Sequence, residues 1–166
     1  MNKGKVFARL VYGKSLPRTL IRAVVLGGIC YVLCAFCFRP TVLRGKSMEP
    51  TFRDGQIGLI NKLKYRTMNP RRGDVVVIST RGNKSFYLKR VLAVSGERIE
   101  FRNGDLYVEG ELIEEAYIDN KGMWSMHETI VPPGEFFVAG DNRSIEIYNH
   151  RVGFIPKRRV AGGLIL

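Results

Sequence analysis

The chain has 166 residues and a formal net charge of +12, from 27 lysines and arginines against 15 aspartates and glutamates. Its length fits one compact domain with a short additional segment. All 15 acidic residues follow position 40, so residues 41–166 carry 20 basic and 15 acidic side chains, a net charge of only +5. The excess positive charge lies beside an apolar segment, which argues against nucleic acid as a partner and leaves nucleic-acid binding only as a third alternative.

The first predicted element is an apolar helix. Residues 23–38 carry no charge, and adding Leu20, Ile21 and the long side chain of Arg22 brings the segment near the lower limit for crossing a bilayer. Only basic charges precede it, which predicts a cytoplasmic segment (1–19), a transmembrane anchor (20–38) and an extracytoplasmic domain (39–166). A cleavable signal peptide is the alternative, but the apolar stretch exceeds a typical signal core and its exit offers no small-x-small site.

The cysteines Cys30, Cys34 and Cys37 all lie in this apolar segment. Their spacing would place them on one helix face, as metal ligands could be, but thiols among lipid tails are more often small packing residues. Elsewhere no cluster of His, Cys or Asp has metal-ligand spacing, and no glycine-rich loop has a phosphate-binding pattern. We therefore expect no metal and no cofactor.

After Pro40 short alternating apolar runs are separated by Gly, Asn and Pro, which predicts a mainly β domain, an antiparallel sheet or barrel-like assembly. The clearest signal is "IEFRNGDLYVEG", where Asn103 and Gly104 separate two alternating runs as in a two-residue hairpin. Further strands are predicted at 73–79, 86–94 and 135–140, with turns at 72–73, 82–83 and 132–134. Residues 95–131 form a long excursion from this assembly.

The segment "RGKSMEPTF" (44–52) contains the first candidate for chemistry. Pro50 disfavours helix at Glu49, and Gly45 permits close approach of the backbone, so Ser47 is predicted on an extended or turning segment with an accessible hydroxyl. In isolation such a serine is more often a turn residue than a nucleophile.

The segment "YLKRV" places Lys89 in an otherwise apolar strand. If Lys89 points inward, burial lowers its pKa and the neutral amine can accept a proton from a serine. The alternative puts Lys89 on the solvated face and Arg90 inward in an ion pair, and strand alternation allows either arrangement. A third segment, "VPPGEFFVAGDNR", ends a predicted strand in a turn whose side chains can bond backbone amides, formed by Gly140, Asp141, Asn142 and Arg143.

Together the segments "SMEPTF", "RRGDVVV", "YLKRVLAVSGE" and "VPPGEFFVAGDNR", after an N-terminal anchor, resemble the type I signal peptidases, membrane-bound serine proteases. The resemblance covers about residues 44–156. It implies that Ser47 is the nucleophile and Lys89 its general base, and that residues 140–143 support the site. The Ser47 N–H would be the main oxyanion donor, because Gly45 stands where some family members carry a hydroxyl.

The chain departs from the family pattern after Arg143. Aligned without a gap, Glu146 stands where the family has a serine that orients the lysine, and Tyr148 where it has an aspartate. A carboxylate close to Lys89 would favour the ammonium. Glu146 therefore points away, is protonated by burial, or leaves the protein weakly active or inactive, and a register change could instead offer Ser144 to the lysine. The alternative function is a catalytically impaired, membrane-anchored partner or scaffold.

The resemblance implies secreted pre-proteins as substrates, bound as an extended chain at a strand edge. It also favours a bacterial plasma membrane, with an organelle inner membrane as the alternative. Four apolar residues are candidates for contact with membrane lipid or for core packing: Met48, Phe52, Met123 and Trp124. A serine–histidine site using His127 or His150 is the second candidate chemistry.

Overall fold

The computed structural model of the protein describes residues 16–79, 86–149 and 153–165. Its first element is the helix α1 (Leu16–Cys37), of which the part Pro17–Cys37 is long and apolar enough to cross a membrane. No other helix within these described ranges meets both criteria. By length and composition α1 therefore fits a membrane anchor.

The residues after Cys37 form a second compact unit, Phe38–Leu166, in which the described residues contain eleven strands and one short α-helix, α2 (Lys64–Thr67). Seven strands form the large sheet, in the spatial order β1-β2-β11-β3-β4-β9-β10. Their bounds are β1 (Phe38–Val42), β2 (Ile57–Asn61), β3 (Val75–Ser79), β4 (Phe86–Val94), β9 (Glu135–Ala139), β10 (Gly153–Pro156) and β11 (Val160–Ile165). All neighbouring strands pair antiparallel.

The residues of the predicted excursion, about 95–131, form a separate small sheet in the order β7-β6-β5-β8. Its strands are β5 (Arg98–Arg102), β6 (Asp105–Val108), β7 (Glu111–Ile113) and β8 (Met126–Ile130). Asn103 and Gly104, which connect β5 to β6, have φ of 49° and 89°. Two consecutive residues in this left-handed region fit the twist of a two-residue hairpin, so the predicted turn is confirmed.

The mainly β, antiparallel fold class is confirmed, and the predicted strands agree closely with the observed ones. The run 86–94 matches β4, while β3 begins two residues after the predicted 73, because Gly73 lies in a turn with φ of 88°. The predicted turn at 82–83 lies outside the described residues.

Two apolar clusters cover opposite faces of β4 and β9. One cluster packs against the small sheet, and its buried side chains include Leu92, Phe101, Trp124 and Phe137. The other includes Val76, Val91 and Val138. Successive residues of a strand point to opposite faces. Because a cluster covers each face of β4, two neighbouring side chains in the middle of this strand are both removed from water.

Candidate active site

Ser47 lies in the connection between β1 and β2. Gly45 there has a φ of 94°, a conformation that favours glycine, and its N–H donates to Asp54 Oδ1 over 2.7 Å. The side chains of Met48 and Phe52 are buried, and the Phe52 N–H donates to the Met48 carbonyl over 3.0 Å. Ser47 is half-buried, and its N–H donates no hydrogen bond to any residue that the structure describes.

Lys89 is 3% exposed and lies in the middle of β4. It pairs with Val76 of β3 and shares a sheet face with Val91, and both valines are fully buried. Burial among apolar side chains lowers the pKa of Lys89 to about 8, although the charge of Asp141 acts in the opposite direction. A considerable fraction of this amine is therefore neutral near pH 8.

Arg90, the next residue, is buried on the other face of β4. Its Nε donates to Asp141 Oδ1 over 2.9 Å and its Nη2 to Asp141 Oδ2 over 2.6 Å, while Nη1 donates to the Gly73 carbonyl over 2.9 Å. Each of the two alternatives for this strand is therefore confirmed for one residue. Lys89 points into the protein and Arg90 forms a buried ion pair, because both faces of β4 are covered.

The chain leaves β9 beside Lys89. Ala139, the last residue of β9, pairs with Arg90, so Gly140 comes next to the strand position of Lys89. Asp141 follows, and its charge acts on Lys89 while its two oxygens accept hydrogen bonds from Arg90. The segment 140–143 is therefore in contact with the strand that carries the candidate base.

The same segment holds the turn that contains Ser47. The Asn142 N–H donates to the Ser47 carbonyl over 3.2 Å, and Asn142 Nδ2 donates to the Lys46 carbonyl over 3.0 Å. Thr51 Oγ1 donates to Asp141 Oδ2 over 2.5 Å. Residues 140–143 thus connect the two predicted catalytic residues, although these lie 42 positions apart in the sequence.

Arg143 has a counter-charge that the sequence did not reveal. Its guanidinium, fully buried, donates through Nη1 to Glu115 Oε2 over 3.0 Å and through Nη2 to Glu115 Oε1 over 2.5 Å. Arg143 Nε also donates to the Gly140 carbonyl over 3.0 Å, and its Cζ lies 5.3 and 4.9 Å from the ring centroids of Phe101 and Trp124. Strand β5 and the connection between β7 and β8 therefore support the segment 140–143.

Replacing Glu115 with alanine should destabilise the protein by about 3–5 kcal/mol, because it leaves the Arg143 charge buried without a partner. The matched control is Glu114→Ala, which removes an exposed acid at the neighbouring position and should change stability by no more than about 0.5 kcal/mol. Urea unfolding of the detergent-solubilised chain measures both. Equal losses in the two variants would contradict the assigned role of the buried pair.

The structure describes the side chains of two of the three atypical positions after Arg143. Ser144 is exposed, and its hydroxyl donates to Asn142 Oδ1. Glu146 is also exposed, and it lines a cavity of about 300 Å³ together with Met123 and Trp124. The side chain of Tyr148 lies outside the described part of the chain.

A cavity of about 500 Å³ opens beside Ser47. The edge strand β1 and the following residues form one wall, and strands β2 to β4 form another through Ile60, Val77 and Leu88. The cavity lining is mostly apolar, and an edge strand offers unpaired backbone groups to an extended peptide. The arrangement can therefore hold an extended chain next to the Ser47 hydroxyl.

The remaining candidate residues do not gather at Ser47. His127 is exposed on β8 of the small sheet, and His150 lies outside the described residues. The cysteines of α1 are free thiols, and among the residues that the structure describes no three His, Cys, Asp or Glu side chains are grouped to hold a metal ion.

Of the apolar residues considered for lipid contact, three are core residues. Met48 is 3% exposed, Phe52 7% and Trp124 3%, so the lipid interpretation is wrong for them and the packing alternative is confirmed. Trp124 also donates from Nε1 to the Ile145 carbonyl over 2.9 Å. Met123, by contrast, is 80% exposed.

Comparisons with known proteins show the family of the chain. The family model for signal peptidase, peptidase S26, matches residues 16–166. Signal peptidase I of Bacillus caldolyticus is 35% identical over 150 residues, covering 81% of this chain and 82% of that protein. Signal peptidase IB of Staphylococcus aureus is 28% identical over 167 residues, covering 90% and 87%. A solved signal peptidase I of Enterococcus faecalis V583 has a TM-score of 0.48 and 26% identity, covering 58% of this chain and 97% of that chain. The chain belongs to the signal peptidase family, peptidase S26, and is a membrane-anchored serine endopeptidase.

Proposed function

We propose that this signal peptidase works through Ser47 as nucleophile and Lys89 as general base. The observation that carries the proposal is the burial of Lys89, whose pKa falls to about 8, on the strand that residues 140–143 connect to the Ser47 turn. A lysine with its ordinary pKa near 10.4 would be almost wholly protonated at neutral pH and could not accept the serine proton.

In the first half of the reaction the Ser47 Oγ attacks the scissile carbonyl carbon while its proton passes to Lys89 Nζ. The C–N bond of the tetrahedral intermediate then breaks, and Lys89 returns the proton to the leaving amine. In the second half Lys89 takes a proton from a water molecule that attacks the acyl-enzyme ester, and the Ser47 hydroxyl is restored with that proton.

The Ser47 N–H is the proposed oxyanion donor. It makes no hydrogen bond within the described residues, whereas the Gly45 N–H is occupied by Asp54. Gly45 supports the site differently, because its left-handed conformation turns the chain into Ser47. The donor therefore comes from the backbone of the nucleophile itself.

The proposed substrates are secreted pre-proteins that present an extended chain with small side chains one and three residues before the cleaved bond. The apolar cavity beside Ser47, bounded by the edge strand β1, supports this mode of binding. The proposed location is a bacterial plasma membrane, with the basic N-terminus in the cytoplasm and the β domain outside. Met123 is the one of the four candidate residues whose exposure suits contact with lipid head groups.

The pH dependence of cleavage tests the role of Lys89. Because the base must be neutral, kcat/KM should rise with pH around a midpoint near 8, the pKa of Lys89. Two pH units below the midpoint, kcat/KM should be lower by about 100-fold. The measurement uses the detergent-solubilised full chain and a signal-sequence peptide without groups that titrate in this range, with the cleaved bond identified by mass spectrometry. A pH-independent rate would contradict a lysine base.

Glu146 should have little effect on this activity. Because its side chain is exposed and lines a different cavity, Glu146→Ser and Glu146→Gln should change kcat/KM by less than about threefold. Both variants should also keep the pH midpoint of the parent protein. A downward shift of the midpoint in both would show that the carboxylate acts on Lys89 and would contradict this expectation.

A further inference from the structure

One residue joins the two buried ion pairs beside the site. The ring centroid of Tyr117 lies 3.9 Å from Cζ of Arg90, which is paired with Asp141. The Tyr117 hydroxyl donates to Glu115 Oε1, and Glu115 is paired with Arg143. Tyr117 follows β7 in the sequence and belongs to the excursion, not to any of the motifs that carry the family resemblance.

We propose that Tyr117 is a positioning residue of the Ser47–Lys89 site: its ring holds Arg90 against Asp141, and its hydroxyl holds Glu115 against Arg143. This inference rests on the proposed function, because it concerns how residues 140–143 support that pair of residues.

The contact with Arg90 carries the first half of the proposal. The edges of the planar guanidinium are occupied by Asp141 and by the Gly73 carbonyl, and the Tyr117 ring covers one of its faces. A guanidinium bound on its edges and stacked on its face has little freedom to move away. Without the ring, water would reach that face and weaken the hold of Arg90 on Asp141.

The second half of the proposal rests on the hydrogen bond from the Tyr117 hydroxyl to Glu115. Burial and the neighbouring Glu115 charge raise the pKa of Tyr117 far above its ordinary value, so the hydroxyl remains a donor. The Glu115 carboxylate then accepts from Tyr117 and from both Nη atoms of Arg143. Such a satisfied buried group has few alternative arrangements, which favours one position of residues 140–143.

Lys89 provides the readout, because few charged groups surround it. Lys89 faces Asp141 in the chain after β9, and Arg90 is its neighbour on β4. On β3 it lies opposite Val76. Tyr65 belongs to the apolar cluster on the same sheet face. The charge of Arg143 is paired with Glu115, and Glu146 is exposed and lines a different cavity. If Arg90 neutralises Asp141 less well, the remaining negative charge favours the Lys89 ammonium.

The test compares Tyr117→Leu with Tyr117→Phe in the detergent-solubilised full chain. Tyr117→Leu removes the ring and should raise the pH midpoint of kcat/KM by about 0.5 to 1 unit. Tyr117→Phe keeps the ring and should keep the parent midpoint, while it lowers thermal stability because Glu115 loses a donor. A reduced folded fraction scales a pH profile without moving its midpoint, so the shift separates positioning from a merely structural role. If Tyr117→Leu does not fold, Tyr117→Met takes its place with the same expected shift.

An NMR titration of Lys89, with ¹³C-labelled lysine and Lys89→Met for assignment, should show the same shift without any need for activity. In an Asp141→Asn background, Tyr117→Leu should no longer raise the midpoint, because the charge on which Arg90 acts is gone. An unchanged Lys89 titration in Tyr117→Leu, or an equal shift in Tyr117→Phe, would overturn the proposal. Cleavage that survives Ser47→Ala would instead reject the proposed function, while the NMR shift still reports on Tyr117.

Discussion

Ser47→Ala and Lys89→Met should each abolish cleavage of a signal-sequence peptide, lowering kcat/KM by about a thousandfold or more. Ser47→Ala removes the oxygen that forms the acyl-enzyme, and Lys89→Met removes the base that takes its proton while keeping a similar side-chain volume. Lys89→Arg should be equally inactive, because a guanidinium remains protonated at any working pH.

Matched controls distinguish this loss from general damage. Ser125→Ala and Lys121→Met change an exposed serine and an exposed lysine, and both variants should retain parent activity. The double variant Ser47→Ala/Lys89→Met should be no worse than either single variant, because residues that act as one unit are not additive. Parent-like activity in Ser47→Ala or in Lys89→Met would disprove the dyad.

The second large effect is on stability. The replacement of Lys89 that abolishes activity should make the folded protein more stable. Lys89→Met should raise the free energy of unfolding near neutral pH by about 3–4 kcal/mol, because it replaces a buried amine that must lose its hydration with an apolar side chain of similar size. Burial alone explains the direction, since it is the larger of the two effects on the Lys89 pKa. Urea unfolding of the solubilised chain measures the difference.

This gain should depend on pH in a defined window. The pKa of Lys89 is about 8 in the folded protein against an ordinary 10.5, so between these values the unfolded chain binds more protons than the folded one. The stability of the parent protein therefore rises with pH through this window, by about 1.4 kcal/mol per unit from this group. Below pH 8 the advantage of Lys89→Met is constant, and it shrinks as the pH approaches 10.5.

The comparison with Lys121→Met makes this test specific. Lys121 is exposed and paired with Asp105, so its replacement should show no comparable gain. Other groups that titrate in the same range contribute equally to the parent and the variant, and they cancel in the difference. A gain that stays constant between pH 7 and 10 would show that the Lys89 pKa is not lowered in the folded state.

The two results together separate function from folding. A Lys89 variant that is inactive because it unfolds would lose stability, whereas we expect a variant that is inactive and more stable. Such an exchange of stability for activity is the expected result of burying a charged group where the reaction needs it neutral.

The features that could be predicted from the sequence depend on the chemistry of neighbouring residues. The hairpin at Asn103 and Gly104 follows from two residues that accept left-handed backbone conformations, and the strand β4 follows from an alternating run. The helix α1 follows from a long uncharged segment. These features depend on residues close together in the sequence, so a single sequence suffices to find them.

The properties that could not be predicted concern burial, because the burial of a side chain depends on residues that are distant in the sequence. For Trp124 and Phe52 the sequence left lipid contact and core packing both open, and only the structure shows that other parts of the domain enclose them. Strand alternation placed Lys89 and Arg90 on opposite faces and implied that one of them meets water. The structure buries both, because a second apolar cluster covers the other face of β4.

The sequence by itself determined the antiparallel β class, the apolar N-terminal helix and, through the family resemblance, the candidates Ser47 and Lys89. Only the tertiary structure decided that Lys89 is desolvated, that residues 140–143 hold both the Ser47 turn and the ion pair of Arg90, and that Glu115 neutralises Arg143. Turn type and alternation are local properties of the chain, whereas the pKa of a buried amine and the partner of a buried charge are set by residues that packing brings together from far apart.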